Sequence, residues 1–263
     1  MSRESWANAS AYESFVGRLS RRIAPRFVDW LAVDPNRRWL DVGCGTGALT
    51  QTILVRAQPS AITAVDPSPA FLEAARASTP DPRATFLDGS ATALPVPEAS
   101  VDAAVAGLVL NFVGDVPAAL AELRRVVVPG GTAGAYVWDY AERMEPIRRF
   151  FDAALAVDAP GAADADEGAR FPLCRPGPLG DAFRAAGFGA VAVVPIEVVS
   201  EQPSFAAFWA PFTTGIGAAG KYLVDLEPAV QKQIREQLRA TVPAAADGSI
   251  RLPARAWAVR GVR

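Results

Sequence analysis

The segment at residues 39–50, WLDVGCGTGALT, constrains the fold more than any other part of the chain. The apolar residues at its start predict a buried strand over 37–43, and the apolar spacing after it predicts a helix over 48–57. Gly43, Gly45 and Gly47 stand at alternate positions between the two. Because glycine adopts positive φ angles and lets the backbone approach a neighbour or a ligand closely, this stretch predicts a tight strand-to-helix turn.

Strand and helix patterns alternate beyond this turn. The predicted strands are 61–66, 83–89, 101–110 and 132–140, and the predicted helices between them are 67–78 and 116–127. Asp115 is placed to cap the second helix, and the Pro-Gly-Gly segment 129–131 is expected to end it. Alternation at short spacing is typical of a doubly wound, mostly parallel sheet with helices on both faces.

The second half of the chain departs from this alternation. Helices are predicted over 144–157, 179–188 and most of 203–242, and further strands over 190–200 and 249–261. Segments 144–175 and 203–242 therefore look like helical insertions that cap one edge of the sheet. Their aromatic stretches, at 149–154 and 204–212, either line a pocket for a small molecule or form the core of the cap.

Composition limits the classes of function. The formal charge is −2 and no basic block exceeds two residues, so we expect no nucleic-acid partner. The longest apolar run, 103–113, is too short to span a bilayer, and no signal-like segment opens the chain, so we expect a cytoplasmic protein without a membrane partner. Cys44 and Cys174 match no metal-ligand spacing, and we expect no metal.

Asp41 indicates the charge of the ligand at the glycine turn. Gly43, Gly45 and Ala48 satisfy the G-x-G-x-x-A dinucleotide pattern, which would place a pyrophosphate at the start of the helix. A carboxylate two residues before Gly43 would repel that dianion, whereas S-adenosylmethionine presents an ammonium and a sulfonium cation there. The alternative is that Asp41 only caps a helix or stabilises the turn.

Asp66 ends the second predicted strand, 23 residues after Gly43. Its two oxygens can accept hydrogen bonds from both ribose hydroxyls of an adenosyl ligand. NAD and S-adenosylmethionine share this ribose, so Asp66 does not discriminate between them. The alternative role is an N-cap for the helix that begins at Pro67.

The motif order resembles that of class I S-adenosylmethionine-dependent methyltransferases, most closely the type 11 group that acts largely on small molecules. The segments that carry the resemblance are LDVGCGTG, VDPSPAFLEAAR, LDGSATALPVP, VDAAVAGLVLNFVGD and LRRVVVPGG. The resemblance covers residues 10–140 well and the later strands more loosely. It implies a seven-stranded Rossmann-like sheet, binding of S-adenosyl-L-methionine and release of S-adenosyl-L-homocysteine.

The resemblance also implies roles for individual residues. Asp41 and the turn from Gly43 through Cys44 and Gly45 to Gly47 would hold the methionine part, and Asp66 would bind the ribose. Pro67 would pack on the adenine, and either Asp88 or Ser90, with Gly89 and Ala91, would lie at the adenine amino group. Ser90 departs from the family pattern, which has Asp there, so Asp88 is an alternative partner.

Two further segments would complete the cofactor site. The backbone of Ala106, Gly107 and Leu108 would lie at the methyl side, and Tyr12 and Arg18 would reach the cofactor from an N-terminal helix. The alternative for Tyr12 and Arg18 is an ordinary amphipathic helix.

Methyl transfer from a sulfonium is an in-line displacement that positioning alone can accelerate strongly. Asn111, Trp138, Asp139 and Tyr140 follow the fourth and fifth predicted strands and are the residues expected to face the acceptor. The chain has no histidine, so the candidates for a base are Asp139 and Tyr140, and Asn111 is a further catalytic candidate. The alternative, which we favour, is that no base acts.

We expect a single methyltransferase domain over 1–263, as a monomer or homodimer, with a small-molecule acceptor. Its core is predicted at 33–140, 179–200 and 248–261, and its cap segments at 1–32, 141–178 and 203–242. Two other functions stay open at this point: an NAD(P)-dependent oxidoreductase, and a non-catalytic adenosyl-ligand-binding protein of the same fold.

Overall fold

The computed structural model describes residues 17–263. Tyr12 lies outside the described residues, so its predicted role stays a prediction. Within residues 17–263, no helix is both long enough and apolar enough to cross a membrane.

Seven strands of the described chain form one sheet in the order β3-β2-β1-β4-β5-β7-β6. The strands are β1 (Arg38–Val42), β2 (Ala61–Asp66), β3 (Ala84–Asp88), β4 (Val101–Gly107), β5 (Val127–Trp138), β6 (Gly189–Gln202) and β7 (Ile250–Val262). Strands β1 to β5 pair in parallel. This confirms the predicted fold class, a mostly parallel seven-stranded sheet with helices on both sides.

Strand β7 runs antiparallel to β5. The amide of Gly130 donates to the carbonyl of Arg263, whereas the amide of Asp139 donates to the carbonyl of Arg255. Later residues of β5 thus pair with earlier residues of β7, which is the pattern of an antiparallel ladder. The sheet is therefore mixed at this side and parallel around β1.

The helices are close to their predicted bounds over most of the chain. They are α1 (Arg18–Leu31), α2 (Ala48–Arg56), α3 (Pro69–Ser78), α4 (Val116–Val126), α5 (Glu145–Ala156), α6 (Ala162–Ala165), α7 (Glu167–Arg170), α8 (Pro176–Ala185), α9 (Phe205–Trp209), α10 (Gly217–Val224) and α11 (Pro228–Thr241). The Asp115 carboxylate accepts from the Ala118 amide at 2.9 Å. The predicted N-cap of α4 is thereby confirmed.

The prediction that Pro-Gly-Gly ends the preceding helix was wrong. Helix α4 ends at Val126, and β5 begins at Val127 and runs through residues 129–131. Val101 pairs with Val127, but Ala103 pairs with Thr132, so extra residues of β5 bulge out of the ladder. Gly130 has a φ of 79°, which lets the backbone make this irregularity inside a strand.

The chain divides into two compact units. The first, called here the sheet unit, comprises residues 20–137, 173–196 and 256–263; the second, called here the helical unit, comprises 138–172 and 197–255 with the described residues 17–19. Most of α1 thus clusters with the sheet, although the sequence suggested a cap. The reason is its apolar face: Phe27 is fully buried and its ring centroid lies 4.8 Å from that of Tyr136.

The helical unit has an aromatic core of its own. Phe150 of α5 stacks on Phe212 at a centroid distance of 4.7 Å, and Phe151 lies edge-on to Phe150. Phe150, Phe151, Phe208 and Phe212 are all buried. Of the two alternatives for the predicted aromatic stretches, packing within the helical unit accounts for these four rings.

Candidate functional site

The glycine turn joins β1 to α2 at the carboxyl end of the sheet. Gly43, Gly45 and Gly47 all have positive φ angles, of 70°, 53° and 90°. The amides of Gly43 and Cys44 donate to the carbonyl of Val65 on β2, at 2.7 and 3.1 Å. Three left-handed residues within five are tolerable because glycine has no Cβ, so the predicted tight turn is confirmed.

Two of these glycines have contrasting surroundings. A Cβ at Gly43 would lie 2.4 Å from a methyl carbon of Val109, so a side chain there would collide with the loop after β4. A Cβ at Gly45 would meet no atom within 4 Å. The turn is thus closely packed at its start and open at its centre, where a ligand can approach the backbone.

Asp41 lies on β1 and is 1% exposed. Its Oδ2 accepts a hydrogen bond from the Thr50 hydroxyl at 2.6 Å, whereas its buried Oδ1 has no hydrogen-bond partner. Burial raises the pKa of Asp41 to about 7; the Thr50 hydrogen bond lowers it and the charge of Asp66 adds to the rise. A buried acceptor with no donor costs free energy, and this cost falls when a donor or a cation binds.

Asp66 ends β2 and is also buried. Oδ2 accepts from the Gly45 amide at 2.9 Å, and Oδ1 accepts from the Ser68 amide at 2.8 Å. Burial raises its pKa, these two hydrogen bonds lower it, and the charge of Asp88 raises it further. Asp66 therefore organises both the glycine turn and the start of α3, and each of its oxygens retains a lone pair for a further donor.

The end of β3 and the segment that follows it are the next part of the candidate site, after the glycine turn and the end of β2. Asp88 and Ser90 are both exposed. The Ser90 hydroxyl lies 3.0 Å from that of Thr92 and accepts from the Thr92 amide at 3.3 Å. A Cβ at Gly89 would lie 2.7 Å from Cδ of Pro95, so only glycine is accommodated without a shift at that position.

The loop after β4 is constrained. A Cβ at Gly107 would lie 2.6 Å from the Tyr136 hydroxyl oxygen. Leu108 has a φ of 60°, which is uncommon for a leucine, and its amide donates to the carbonyl of Tyr136 at 2.8 Å. Asn111 follows in a short 3-10 helix, and its buried side-chain nitrogen has no hydrogen-bond partner. Backbone strain at this edge is typical of functional sites.

Comparison with known proteins identifies this arrangement. Residues 40–134 match the type 11 family model described as a methyltransferase domain. Those residues include the glycine turn, Asp41, Asp66 and the end of β4. Over these residues the chain is similar to the class I S-adenosylmethionine-dependent methyltransferases.

Individual proteins agree with this family. Over 123 residues this chain is 34% identical to the malonyl-acyl-carrier-protein O-methyltransferase of Serratia marcescens, and the alignment covers 47% of this chain and 46% of the relative. The chain thus spans about half the length of the curated relatives it matches.

Solved structures show the same fold. The YcgJ protein of Bacillus subtilis superposes with a TM-score of 0.60 at 16% identity, over 92% of this chain and 98% of that one. The phosphoethanolamine N-methyltransferase 2 of Haemonchus contortus, solved with phosphomonomethylethanolamine and S-adenosylhomocysteine, has a TM-score of 0.58 at 14% identity. That alignment covers 98% of this chain and 57% of the other.

The remaining residues of the methyltransferase can be placed against its predicted site. Ala106 is fully buried in β4, Pro67 is exposed between β2 and α3, and Ala91 is partly buried after β3. Arg18 is exposed at the start of α1. Cys44 is buried, and burial followed by the charge of Asp41 raises the pKa of its thiol, so it is a neutral lining residue of the turn.

The residues that sequence reasoning missed are Thr50, Val65, Val109 and Tyr136. The Thr50 hydroxyl holds the Asp41 carboxylate, and the Val109 side chain packs against the glycine turn at Gly43. A polar residue on the otherwise apolar face of α2 was a signal for Thr50. The contacts of Val109 and Tyr136 depend on pairing between strands, for which the sequence holds no local signal.

Asp139 and Tyr140 follow β5 and belong to the helical unit. Asp139 Oδ2 accepts from Arg255 Nε at 2.7 Å, and its Oδ1 accepts from the Glu142 amide at 3.1 Å. Arg255 also donates to Glu142 at 2.8 Å. With both oxygens engaged and a guanidinium beside it, Asp139 has the environment of a structural ion pair rather than that of a general base.

Tyr140 is buried, and its ring centroid lies 6.0 Å from that of Phe171. Among residues 17–263, no group of three or more His, Cys, Asp and Glu side chains is arranged to hold a metal ion.

Proposed function

We propose that this protein transfers a methyl group from S-adenosylmethionine to a small organic acceptor and releases S-adenosylhomocysteine. The observation that carries the proposal is the buried Asp41 carboxylate, whose Oδ1 has no partner beside a glycine turn that is open at Gly45. A cationic ligand would supply the missing partner. The similarity of residues 40–134 to methyltransferase domains supports the same cofactor.

The residues of the sheet unit fit the parts of this cofactor. Asp41 would face the cationic methionine part, with the backbone of the glycine turn around it. Asp66 already accepts from two amides and has lone pairs left for ribose hydroxyls. For the adenine amino group we propose Asp88 over Ser90, because the Ser90 hydroxyl already bonds with Thr92 whereas a carboxylate accepts more strongly.

The bound cofactor supplies an electrophilic methyl group and a neutral thioether leaving group. The protein must hold the two reactants in the correct alignment. In favourable cases such alignment lowers the activation barrier by about 7–11 kcal/mol. The rigid elements around Asp41 and Leu108 suit this task. The chain has no histidine, and Asp139 is held by Arg255, so we propose an acceptor that is nucleophilic without a base from this protein.

Two observations support a small organic acceptor: the net charge of the protein and the name of one relative. A net charge of −2 and the absence of a basic run longer than two residues disfavour nucleic acid. The Serratia relative is named for malonyl-acyl-carrier protein, an acyl group carried on a protein. A small organic acid, free or in ester linkage, is therefore within the proposed class.

An NAD(P)-dependent oxidoreductase is disfavoured by the same carboxylate. The pyrophosphate of a dinucleotide would lie at the start of α2, close to Asp41. A buried carboxylate at that point opposes a dianion.

Calorimetry with S-adenosylhomocysteine and with NADH tests the cofactor. We expect binding of the first and none of the second; the reverse result would overturn the proposal. A second experiment incubates the protein with S-adenosylmethionine labelled in the methyl group and a panel of small acids, amines, thiols and phenols. Label in a small molecule, or in an acyl group that hydrolysis releases from a carrier protein, supports the proposed reaction, whereas label only in tRNA, DNA or the amino-acid side chains of a protein contradicts it.

Binding without any transfer would indicate a non-catalytic adenosyl-ligand-binding protein. The Asp41→Asn variant is the matched control in both assays, since it keeps the shape of the side chain and removes its charge.

A further inference from the structure

Thr50 lies in the first turn of α2 and is completely buried. Its hydroxyl oxygen is 2.6 Å from Asp41 Oδ2, a short hydrogen bond between a hydroxyl and a carboxylate. The other oxygen of the same carboxylate, Oδ1, is buried without a partner. Thr50 therefore determines which of the two oxygens of Asp41 is free.

We propose that Thr50 is a positioning residue for cofactor binding: its hydroxyl holds Asp41 in the orientation and ionisation state that receive a cationic ligand. This inference rests on the proposed function, since it concerns the same cofactor. It assigns the discrimination between charged and neutral adenosyl ligands to a pair of side chains, Thr50 and Asp41.

The surroundings of Asp41 explain why one hydroxyl can have this effect. From β2, Asp66 presents a second carboxylate, and Asp88 on β3 acts on Asp66 in turn. From the turn, the Cys44 thiol is neutral because its pKa is raised. From β4, the paired residues Ala103, Ala104 and Val105 are apolar.

The charge of Arg76 on α3 acts on the Cys44 thiol, whereas the pKa of Asp41 is set by burial, by hydrogen bonding with Thr50 and by the charge of Asp66. Among these, only Thr50 lowers the pKa of Asp41, chiefly through its hydroxyl and to a smaller extent through its backbone amide. Loss of the hydroxyl would therefore favour the protonated acid. A protonated acid is neutral and attracts a cation less than a carboxylate does.

The consequence is a specific pH dependence. A cation binds best to ionised Asp41, so its affinity should rise with pH up to about 7 and then level off. Removing the Thr50 hydroxyl should move this rise to higher pH. Each unit of displacement corresponds to about tenfold in affinity on the acidic side and to little change on the alkaline side.

The experiment measures affinity for S-adenosylhomocysteine between about pH 6 and about pH 8.5, spanning the range in which Asp41 titrates. It compares the wild type with Thr50→Val, which keeps the shape but loses the hydroxyl, and with Thr50→Ser, which restores it. We expect Thr50→Val to bind about threefold to tenfold more weakly near pH 6.5, to approach the wild type at pH 8.5, and to be rescued by Thr50→Ser.

A second ligand separates positioning from a general structural effect. 5′-Methylthioadenosine has the adenosine and a thioether but no ammonium group, so its affinity should be the same in the wild type and in Thr50→Val. Equal loss for both ligands, or a pH curve in Thr50→Val that coincides with that of the wild type, would overturn the inference.

If Thr50→Val does not fold, Thr50→Ala takes its place. The wild type gives an independent result, because binding near pH 7 should release a proton, which calorimetry in two buffers of different ionisation enthalpy detects. Wild-type binding without proton release also overturns the inference. Failure of the wild type to bind S-adenosylhomocysteine at all overturns the proposed function instead, so the two failures are distinguishable.

Discussion

Asp41 and Asp139 make an informative comparison, because each is a carboxylate at the carboxyl end of a strand and each is only 1% exposed. Asp41, in the sheet unit, has a neutral hydroxyl on one oxygen and nothing on the other. Asp139, in the helical unit, has the Arg255 guanidinium on one oxygen and a backbone amide on the other.

This difference separates an acid whose charge the protein leaves unpaired from one whose charge it pairs. Burial alone is the same for both residues, so exposure does not distinguish them. What differs is whether the protein itself neutralises the charge. An acid that the fold leaves without a cation is destabilising until a cationic ligand binds, whereas an acid already paired has no such requirement.

The largest effect should come from breaking the paired acid. Asp139→Asn leaves Arg255, which is 14% exposed, beside two more exposed carboxylates, those of Glu142 at 2.8 Å and Glu197 at 4.0 Å. Removing one partner of a buried ion pair costs about 3–5 kcal/mol, and we expect a loss of stability near the lower end. Urea denaturation measures it. The control is Glu201→Gln, which breaks the exposed pair with Arg251 and should cost less than about 1 kcal/mol.

A smaller effect, on binding rather than on folding, should follow from Asp66→Ala. Because Asp66 is expected to accept from the ribose while it holds the amides of Gly45 and Ser68, affinity for S-adenosylhomocysteine should fall by about 1.5–3 kcal/mol. Calorimetry on folded protein measures this. Asp102→Ala is the matched control, since Asp102 pairs with Arg38 at the other end of the parallel strands. Unchanged affinity in Asp66→Ala would remove Asp66 from the site.

Neutralising the unpaired acid should stabilise the protein without its ligand. The pKa of Asp41 is raised, so the folded state binds its proton more tightly than the unfolded chain, and stability falls as pH rises from about 4 to about 7. Asp41→Asn removes this loss. We expect the variant to be more stable than the wild type by about 1–2 kcal/mol at pH 8, with a smaller difference at pH 5.

Denaturation at both pH values, with S-adenosylhomocysteine absent, provides the measurement. Equal pH dependence in the variant and the wild type would show that Asp41 does not titrate in this range.

The smallest effect concerns chemistry. If Asp139 is structural, Asp139→Asn should slow the transfer step by less than tenfold, under about 1.4 kcal/mol. Single-turnover kinetics with the acceptor, once identified, decides this. A decrease beyond a hundredfold in folded protein with unchanged cofactor affinity would make Asp139 the base and remove the contrast with Asp41.

Features that depend on neighbours along the chain could be predicted from the sequence. Periodicity placed the strands around the glycine turn within a residue or two, and Asp115 was identified as an N-cap because a cap is a contact over three residues. The three glycines predicted positive φ angles, since few other residues tolerate them. Asp41 and Asp66 were identified as candidate site residues from their positions in the sequence relative to that turn.

Contacts between distant residues could not be predicted in this way, because they depend on how the strands and helices pack. Arg255 lies 116 positions after Asp139, and no local pattern links them. Likewise, the bulge that carries β5 through Pro-Gly-Gly exists because β4 and β5 pair in a shifted register. Thr50 has its role because α2 folds back over β1 and brings a hydroxyl to Asp41. The sequence sets the positions of the acidic residues along the strands. Their charge states depend on strand pairing and helix packing, because these determine which donors lie within hydrogen-bond distance of each carboxylate.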